Sequence, residues 1–172
     1  MKPATRYTVD ASSAAVVFTA SSSVHPIRSV GSASGWFQAA IDGTDVAATG
    51  DFGGHLEVQL DGLSSGNPLI DREMKRRLAA GTHPMIVADL ESAVLTAAGD
   101  MTVTGTIDFL GVEILVEGEI TVADGPRLVG TGEFDIRWWG LEPPRLLMLR
   151  VDPIVTVDID LPLITEPRSA HD

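Results

Sequence analysis

The sequence predicts an all-β protein: a closed antiparallel barrel of about eight strands, interrupted by a single helix. Three observations carry that prediction. Apolar residues recur with period two through most segments, which means strands with one buried face. The segments follow one another at the spacing of antiparallel meanders. Only one stretch changes to a period near four, and it supplies the single helix. A sheet of this size avoids exposed edges by closing on itself.

The elements follow in chain order. Tyr7 to Val9 reads as a short strand, closed by an Asp10 turn with Ser12 and Ser13. Residues 14–22 form the next, with Val17 and Thr19 in one phase and Val16 and Phe18 in the other. His25-Pro26 and the small residues up to Ser34 predict a loop. Gly35, Phe37, Ala39 and Ile41 then share one strand face, and residues 42–54 hold turn formers with room for one short strand. In residues 55–63, His55, Glu57, Gln59 and Asp61 oppose Leu56, Val58 and Leu60.

The helix is expected over about 68–80. Asn67 can accept from the free amides of a first turn, and Pro68 fits that turn without losing a hydrogen bond. Ile70, Met74 and Leu78 lie four apart on one face. Asp71 and Glu73 come early and Lys75, Arg76 and Arg77 late, the order that suits a helix dipole, and Gly81 supplies a stop.

Residues 85–95 start a second series of strands. Met101, Val103, Gly105, Ile107 and Phe109 oppose Thr102, Thr104, Thr106 and Asp108. Ile114, Val116, Gly118 and Ile120 oppose Glu113, Glu117 and Glu119. Leu128, Gly130, Gly132, Phe134 and Ile136 oppose Arg127, Thr131, Glu133, Asp135 and Arg137. A last strand, 154–161, sets Val155, Val157, Ile159 and Leu161 against Thr156, Asp158 and Asp160. Glu142-Pro143-Pro144 breaks the sheet before it, and residues 145–151 either extend the last hairpin or form a short cap. The domain is expected to span 1–164 without an internal boundary, leaving 165–172 as a polar, mobile tail.

Glycine weakens a strand interior, so Gly105, Gly118, Gly130 and Gly132 on inward phases call for a reason. Either they permit the curvature of a closing sheet, or they leave room inside it for a guest.

Composition narrows the function. The net charge is −12, from 24 acidic against 12 basic side chains, which repels nucleic acid and anionic headgroups. There is no cysteine, hence no thiol catalysis and no thiolate metal site. No apolar run approaches the ~20 residues of a membrane helix. The first residues lack the basic flank and apolar core of a signal peptide, so a soluble, cytoplasmic protein is expected. Symmetry base rates allow a homodimer.

Several strings imitate chemistry without supplying it. Gly31-Ser32-Ala33-Ser34-Gly35 has alanine where a nucleophile elbow needs serine. The glycines of residues 50–54 lack the lysine and helix of a phosphate loop. The histidines at 25, 55, 83 and 171 are scattered, so neither a metal nor a cofactor is implied. Glu113, Glu117 and Glu119 share an outer face and read as an acidic stripe. Trp138-Trp139 is more informative: of two adjacent tryptophans at a strand end, one packs inward while the other lies at the rim, closing the barrel end or forming an aromatic lip.

The order of these elements resembles the YceI-like family of polyisoprenoid-binding, lipocalin-like proteins. The likeness rests on Tyr7-Thr8-Val9-Asp10, on Val16-Val17-Phe18-Thr19-Ala20, and on Gly35-Trp36-Phe37. It continues through Gly66-Asn67-Pro68, Asp71-Arg72-Glu73, Thr102-Val103-Thr104-Gly105 and residues 149–157, covering roughly 6–163. It implies an eight-stranded barrel with the helix across one end and an elongated apolar cavity that holds isoprenoid-type or other long-chain lipids. Many family members are exported. Where the family usually carries a phenylalanine pair, residues 78–82 read Leu-Ala-Ala-Gly-Thr, which reshapes the expected cavity mouth.

The function expected is therefore non-catalytic binding of a long apolar ligand of isoprenoid, quinone or fatty-acid type. Burial contributes about 0.8 kcal/mol per methylene, so a few isoprene units suffice for micromolar affinity. The expected liners are Phe18, Phe37, Val58, Leu60, Met74 and Leu78, followed by Val103, Ile107, Ile114, Val116, Phe134 and Ile136. Two alternatives stay open. One is a barrel enzyme that isomerises or cyclises an apolar substrate, for which Arg137 and Tyr7 are the nearest titratable candidates. The other is a filled barrel acting through its outer surface in stress response or assembly, its glycines serving curvature alone.

Overall fold

The computed structural model describes residues 3–42, 45–47, 52–78, 82–97, 99–142, 145–146 and 149–166. The period-two segments become β1 (Thr5–Val9), β2 (Ala15–Ser22), β3 (Ile27–Gly31), β4 (Ser34–Asp42), β5 (Asp45–Ala47) and β6 (Gly53–Gln59). They continue as β7 (Met85–Ala97), β8 (Asp100–Phe109), β9 (Val112–Ala123), β10 (Arg127–Asp135), β11 (Arg145–Leu146) and β12 (Leu149–Thr165). The period-four stretch is α1 (Pro68–Arg77), and two 3₁₀ turns, η1 (Leu60–Gly62) and η2 (Ile136–Trp139), complete the described elements.

Eight strands, β1-β4-β6-β7-β8-β9-β10-β12, pair antiparallel in a ring that β1 closes onto β12. The short β5 adds to β4, and β11 to the start of β12. The extra pair β2 and β3 is a continuation of the wall. Val9 sits opposite Leu163 and Ala15 opposite Asp160, so β1 and β2 are one strand along β12 with a bend at 10–14. Asp10 shapes that bend by accepting from Ser12 and Ser13, contacts that also hold its carboxyl below the ordinary range. The chain turns sharply between β8 and β9, where Leu110 and Gly111 both take positive φ (57° and 77°), the two-residue turn that suits twisted hairpins.

Several boundaries differ from the sequence expectation. Residues 27–31, expected as loop, form β3, whose alternation is hidden because its buried phase contains Ser29. The strand expected over 55–63 stops at Gln59, because Asp61 and Gly62 favour the tight turn η1. The last strand, expected at 154–161, runs 149–165. Its two prolines fall where the ladder is irregular: Pro153 lies in the register shift between Val151 and Val155, and the Pro162 carbonyl accepts from Asp10 in the bend. The segment before it extends the hairpin through β11. Thr165 belongs to β12, and Glu166 meets Arg6 and Thr8. The expected continuation of the helix to residue 80, the Gly81 stop and the tail from 167 lie outside the described residues.

The two ends of the barrel are filled differently. Phe37, Met101, Val122, Leu128 and Leu161 are almost fully buried toward the end where β1 and β4 close the ring, with Tyr7, Val9, Val103 and Leu163 among them. Phe52 meets the Phe37 ring edge-on at 5.6 Å. At the other end the wall has two splits. Between β3 and the segment that follows β6, Val30 and Ser64 form the single bridge among the described residues, and α1 packs there through Ile70, which joins Ala20, Ile27 and Val151 in a separate small core. Between β9 and β10 the ladder stops at Glu119–Thr131, and η2 packs against β9 beyond that point.

Candidate ligand cavity

Those two splits frame a hollow of about 230 Å³ in the α1 end of the barrel. β2 supplies Val16, Phe18 and Ala20 to its wall, β3 Ile27 and Ser29, β6 Leu56 and Val58, and β12 Val151, Val155, Val157 and Ile159. Each set alternates along its strand, so the pleat that buries one face also builds the wall. Leu60 and Leu63 come from the turn after β6, and Leu63 packs where a side chain on Gly31 would stand. From α1 and its C-cap come Met74, Arg77 and Leu78, with Arg77 three and Leu78 four residues beyond Met74 on the face that Ile70 anchors. The capped start of α1 holds that face in place, since Asn67 Oδ1 accepts from the Leu69 and Ile70 amides at 3.0 and 3.4 Å.

The opposite side is aromatic. Trp139 is 5% exposed and lines the hollow with Phe109 and Phe134, whose rings it meets at 6.2 and 6.3 Å, edge-on in each case. Its neighbour Trp138 is 52% exposed, so one ring of the pair turns inward and the other lies outside. Asp135 fixes this turn. Its carboxylate accepts from the Arg137 amide and pairs with the guanidinium, which holds the acid below its ordinary range and raises the arginine above its own.

Eight of the twelve expected liners stand in this wall: Phe18, Val58, Leu60, Met74, Leu78, Ile107, Phe134 and Ile136. Phe37 and Val103 lie in the filled end. Ile114 and Val116 also face inward and pack against the core, but they do not line the hollow. Among the wall residues absent from the expected liners are Ser29, Arg77, Trp139 and the β12 residues Val155, Val157 and Ile159. The last three already alternated visibly; Ser29 gave no signal, since its strand was not recognised.

The four inward glycines do not widen the cavity. A Cβ on Gly105 would stand 2.1 Å from the Asp89 carbonyl oxygen, where β7 bulges at Glu91. On Gly130 it would meet the Glu119 carbonyl at 2.8 Å, and on Gly132 the Phe134 ring at 2.8 Å. Only Gly118, 3.7 Å from its nearest neighbour, is in ordinary contact. The room these glycines provide is taken up by close backbone approach and by the Phe134 ring.

The YceI-like domain family matches residues 7–163. The chain belongs to the YceI family. Solved structures agree on the fold. BcnA of Burkholderia cenocepacia superposes with a TM-score of 0.76 at 15% identity, over 91% of this chain and 99% of its own. A polyisoprenoid-binding domain from Saccharophagus degradans, implicated in plant cell wall breakdown, gives 0.69 at 17% identity, over 93% and 98%. The Campylobacter jejuni YceI protein gives 0.57 at 10% identity, over 76% and 81%. No curated protein matches this chain in sequence. Within this YceI domain no described helix is long and apolar enough to cross a membrane, and no described histidine–carboxylate cluster could hold a metal ion.

Proposed function

We propose that this YceI protein binds a long apolar ligand of isoprenoid, quinone or fatty-acid type inside the barrel, without transforming it. One observation carries the reading: the hollow is walled by aliphatic and aromatic side chains except at Ser29 and Arg77. An engineered cavity of ~150 Å³ with similar walls stays dry and takes up benzene, so a larger one favours an oily guest over water. Met74 and Leu78 stand at its α1 side, and unbranched methionine can re-pack around a tail longer than the present space. The two polar groups of the wall, a hydroxyl and a guanidinium, are donors that suit holding a ligand, and neither takes up a proton near pH 7. The Saccharophagus relative, described as polyisoprenoid-binding, points to the same ligand class.

The test is native mass spectrometry of protein purified from cells, with Ala88→Phe and Val157→Trp as cavity-filling variants, since both residues line the hollow. The expected result is a retained lipid mass in the wild type and its loss in variants that melt normally. Wild-type protein that carries no guest and takes none up from added lipid would favour a pocketless role. A guest converted to a new mass on incubation would favour an enzyme.

A further inference from the structure

The two polar side chains of the cavity wall come from β3 and from the last turn of α1, and they are under-used. Ser29 is 3% exposed and lies on the inward phase of β3. Among the described residues its hydroxyl meets a single hydrogen-bonding atom, the Met74 thioether sulfur at 3.8 Å. Sulfur is a weak acceptor, so the hydroxyl proton is poorly satisfied, and among the described residues its oxygen accepts no hydrogen bond. Buried hydroxyls ordinarily find a full partner.

Arg77 lies one turn beyond Met74 on the same helix face. It lines the hollow and is yet 39% exposed, which places it where the cavity opens to water. Its Nε donates to Glu73, and among the described residues its terminal nitrogens have no acceptor. Lys75 and Arg76 share the last turn of α1 with it, which makes the helix end locally positive on a chain whose net charge is −12. Ser29, Met74 and Arg77 thus form a polar edge leading outward from an apolar interior.

We infer that the ligand is an amphiphile whose anionic, acceptor-rich head, a carboxylate or a phosphate, is held by the Arg77 guanidinium and the Ser29 hydroxyl. Its tail runs along the wall of Phe18 and Ile159 toward Phe134. Met74 swings aside to release Ser29 Oγ, a motion its unbranched chain permits. The inference rests on the reading of the hollow as a ligand site, and the experiment separates the two.

Delipidated full-length protein is offered palmitate, hexadecyl phosphate and methyl palmitate in equimolar competition, and bound masses are compared by native mass spectrometry. All three share a sixteen-carbon tail and differ in head. The wild type should prefer one of the anionic lipids over the ester by about tenfold, as a charge-assisted contact implies. Arg77→Met should abolish that preference while still binding the ester. Arg77→Lys should keep part of it, which shows that charge and not folding is being read. Ser29→Ala should weaken both anions and leave the ester unchanged. The identity of the preferred anion distinguishes carboxylate from phosphate. Equal binding of all three lipids by the wild type, or a preference that survives Arg77→Met, overturns the head-group inference and leaves the apolar site intact. Binding of none of the three overturns the site as well.

Discussion

The Trp139 indole N–H donates to the Ile107 carbonyl at 3.1 Å, reaching from the turn after β10 to strand β8. Strand β9 lies between those two in the ring, yet its ladder to β10 has ended at Glu119–Thr131. The ring and its one hydrogen bond therefore stand in for missing rungs. Trp139→Ala should destabilise the fold by about 3–5 kcal/mol, the range for truncating a buried aromatic ring. Trp139→Phe keeps most of the packing and loses the donor, which should cost about 1–3 kcal/mol. Urea unfolding of both variants checks the order. Equal loss in the two would mean that the hydrogen bond, not the ring, closes the split.

The inward glycines differ sharply in what an added methyl would meet. Gly105→Ala drives a Cβ against the Asp89 carbonyl oxygen, a backbone atom fixed within the bulge, and should destabilise by about 3 kcal/mol or fail to fold. Gly118→Ala meets only ordinary contact. It should stay within about 1 kcal/mol of the wild type, on the stabilising side, because alanine restricts the unfolded chain. Thermal melts of the pair, run side by side, decide whether these glycines serve backbone approach or empty space.

How much of this was legible in the sequence depends on whether a residue's role is set by its own strand or by a distant one. Period two placed Phe18, Val58, Ile107 and Phe134 inward, and they line the hollow, because the pleat alone fixes that direction. The same pattern could not place Phe37 or Val103 along the barrel axis, since which end is filled depends on where β1 closes against β12. Nor could it tell that Ile114 and Val116 pack into the core without lining the hollow, while Trp139 of η2 lines it. Ser29 was invisible for a local reason: a serine, an arginine and a glycine in a five-residue strand leave no apolar alternation to detect. The helix was the most legible element, since cap, dipole order and period four all agree within residues 67–78.

That agreement gives the Asn67 cap a measurable weight. Its Oδ1 accepts from both the Leu69 and Ile70 amides, and Ile70 is the residue that seats α1 on the small second core. Asn67→Ala should cost about 1 kcal/mol, and Asn67→Asp should cost less, because a carboxylate also accepts there and suits the positive helix end. The same Asn67→Ala variant should show faster amide exchange in α1 than in β7–β10. Uniform acceleration throughout the protein would mean that the cap acts on global stability alone.

The outer wall carries a pH-sensitive contact on β6. His55 on β6 hydrogen-bonds through Nδ1 to Asp89 at 2.6 Å and through Nε2 to Glu57 at 3.1 Å. Two carboxylates favour the charged ring, Asp89 most, so the His55 pKa is raised above its ordinary value near 6.5 despite partial burial acting the other way. A pKa raised by folding means the folded state binds the proton more tightly than the unfolded chain. The resulting stabilisation is complete below the unfolded value, between about pH 5 and 6 where the carboxylates remain ionised, and is lost as pH rises through the folded value. The difference in unfolding free energy between wild type and Asp89→Asn should therefore be larger at pH 5.5 than at pH 8.5. The His55 ring resonances should titrate above 6.5 in the wild type and at lower pH in Asp89→Asn. A wild-type His55 titrating at or below 6.5, or a difference that grows with pH, would show that Asp89 does not hold the charged ring.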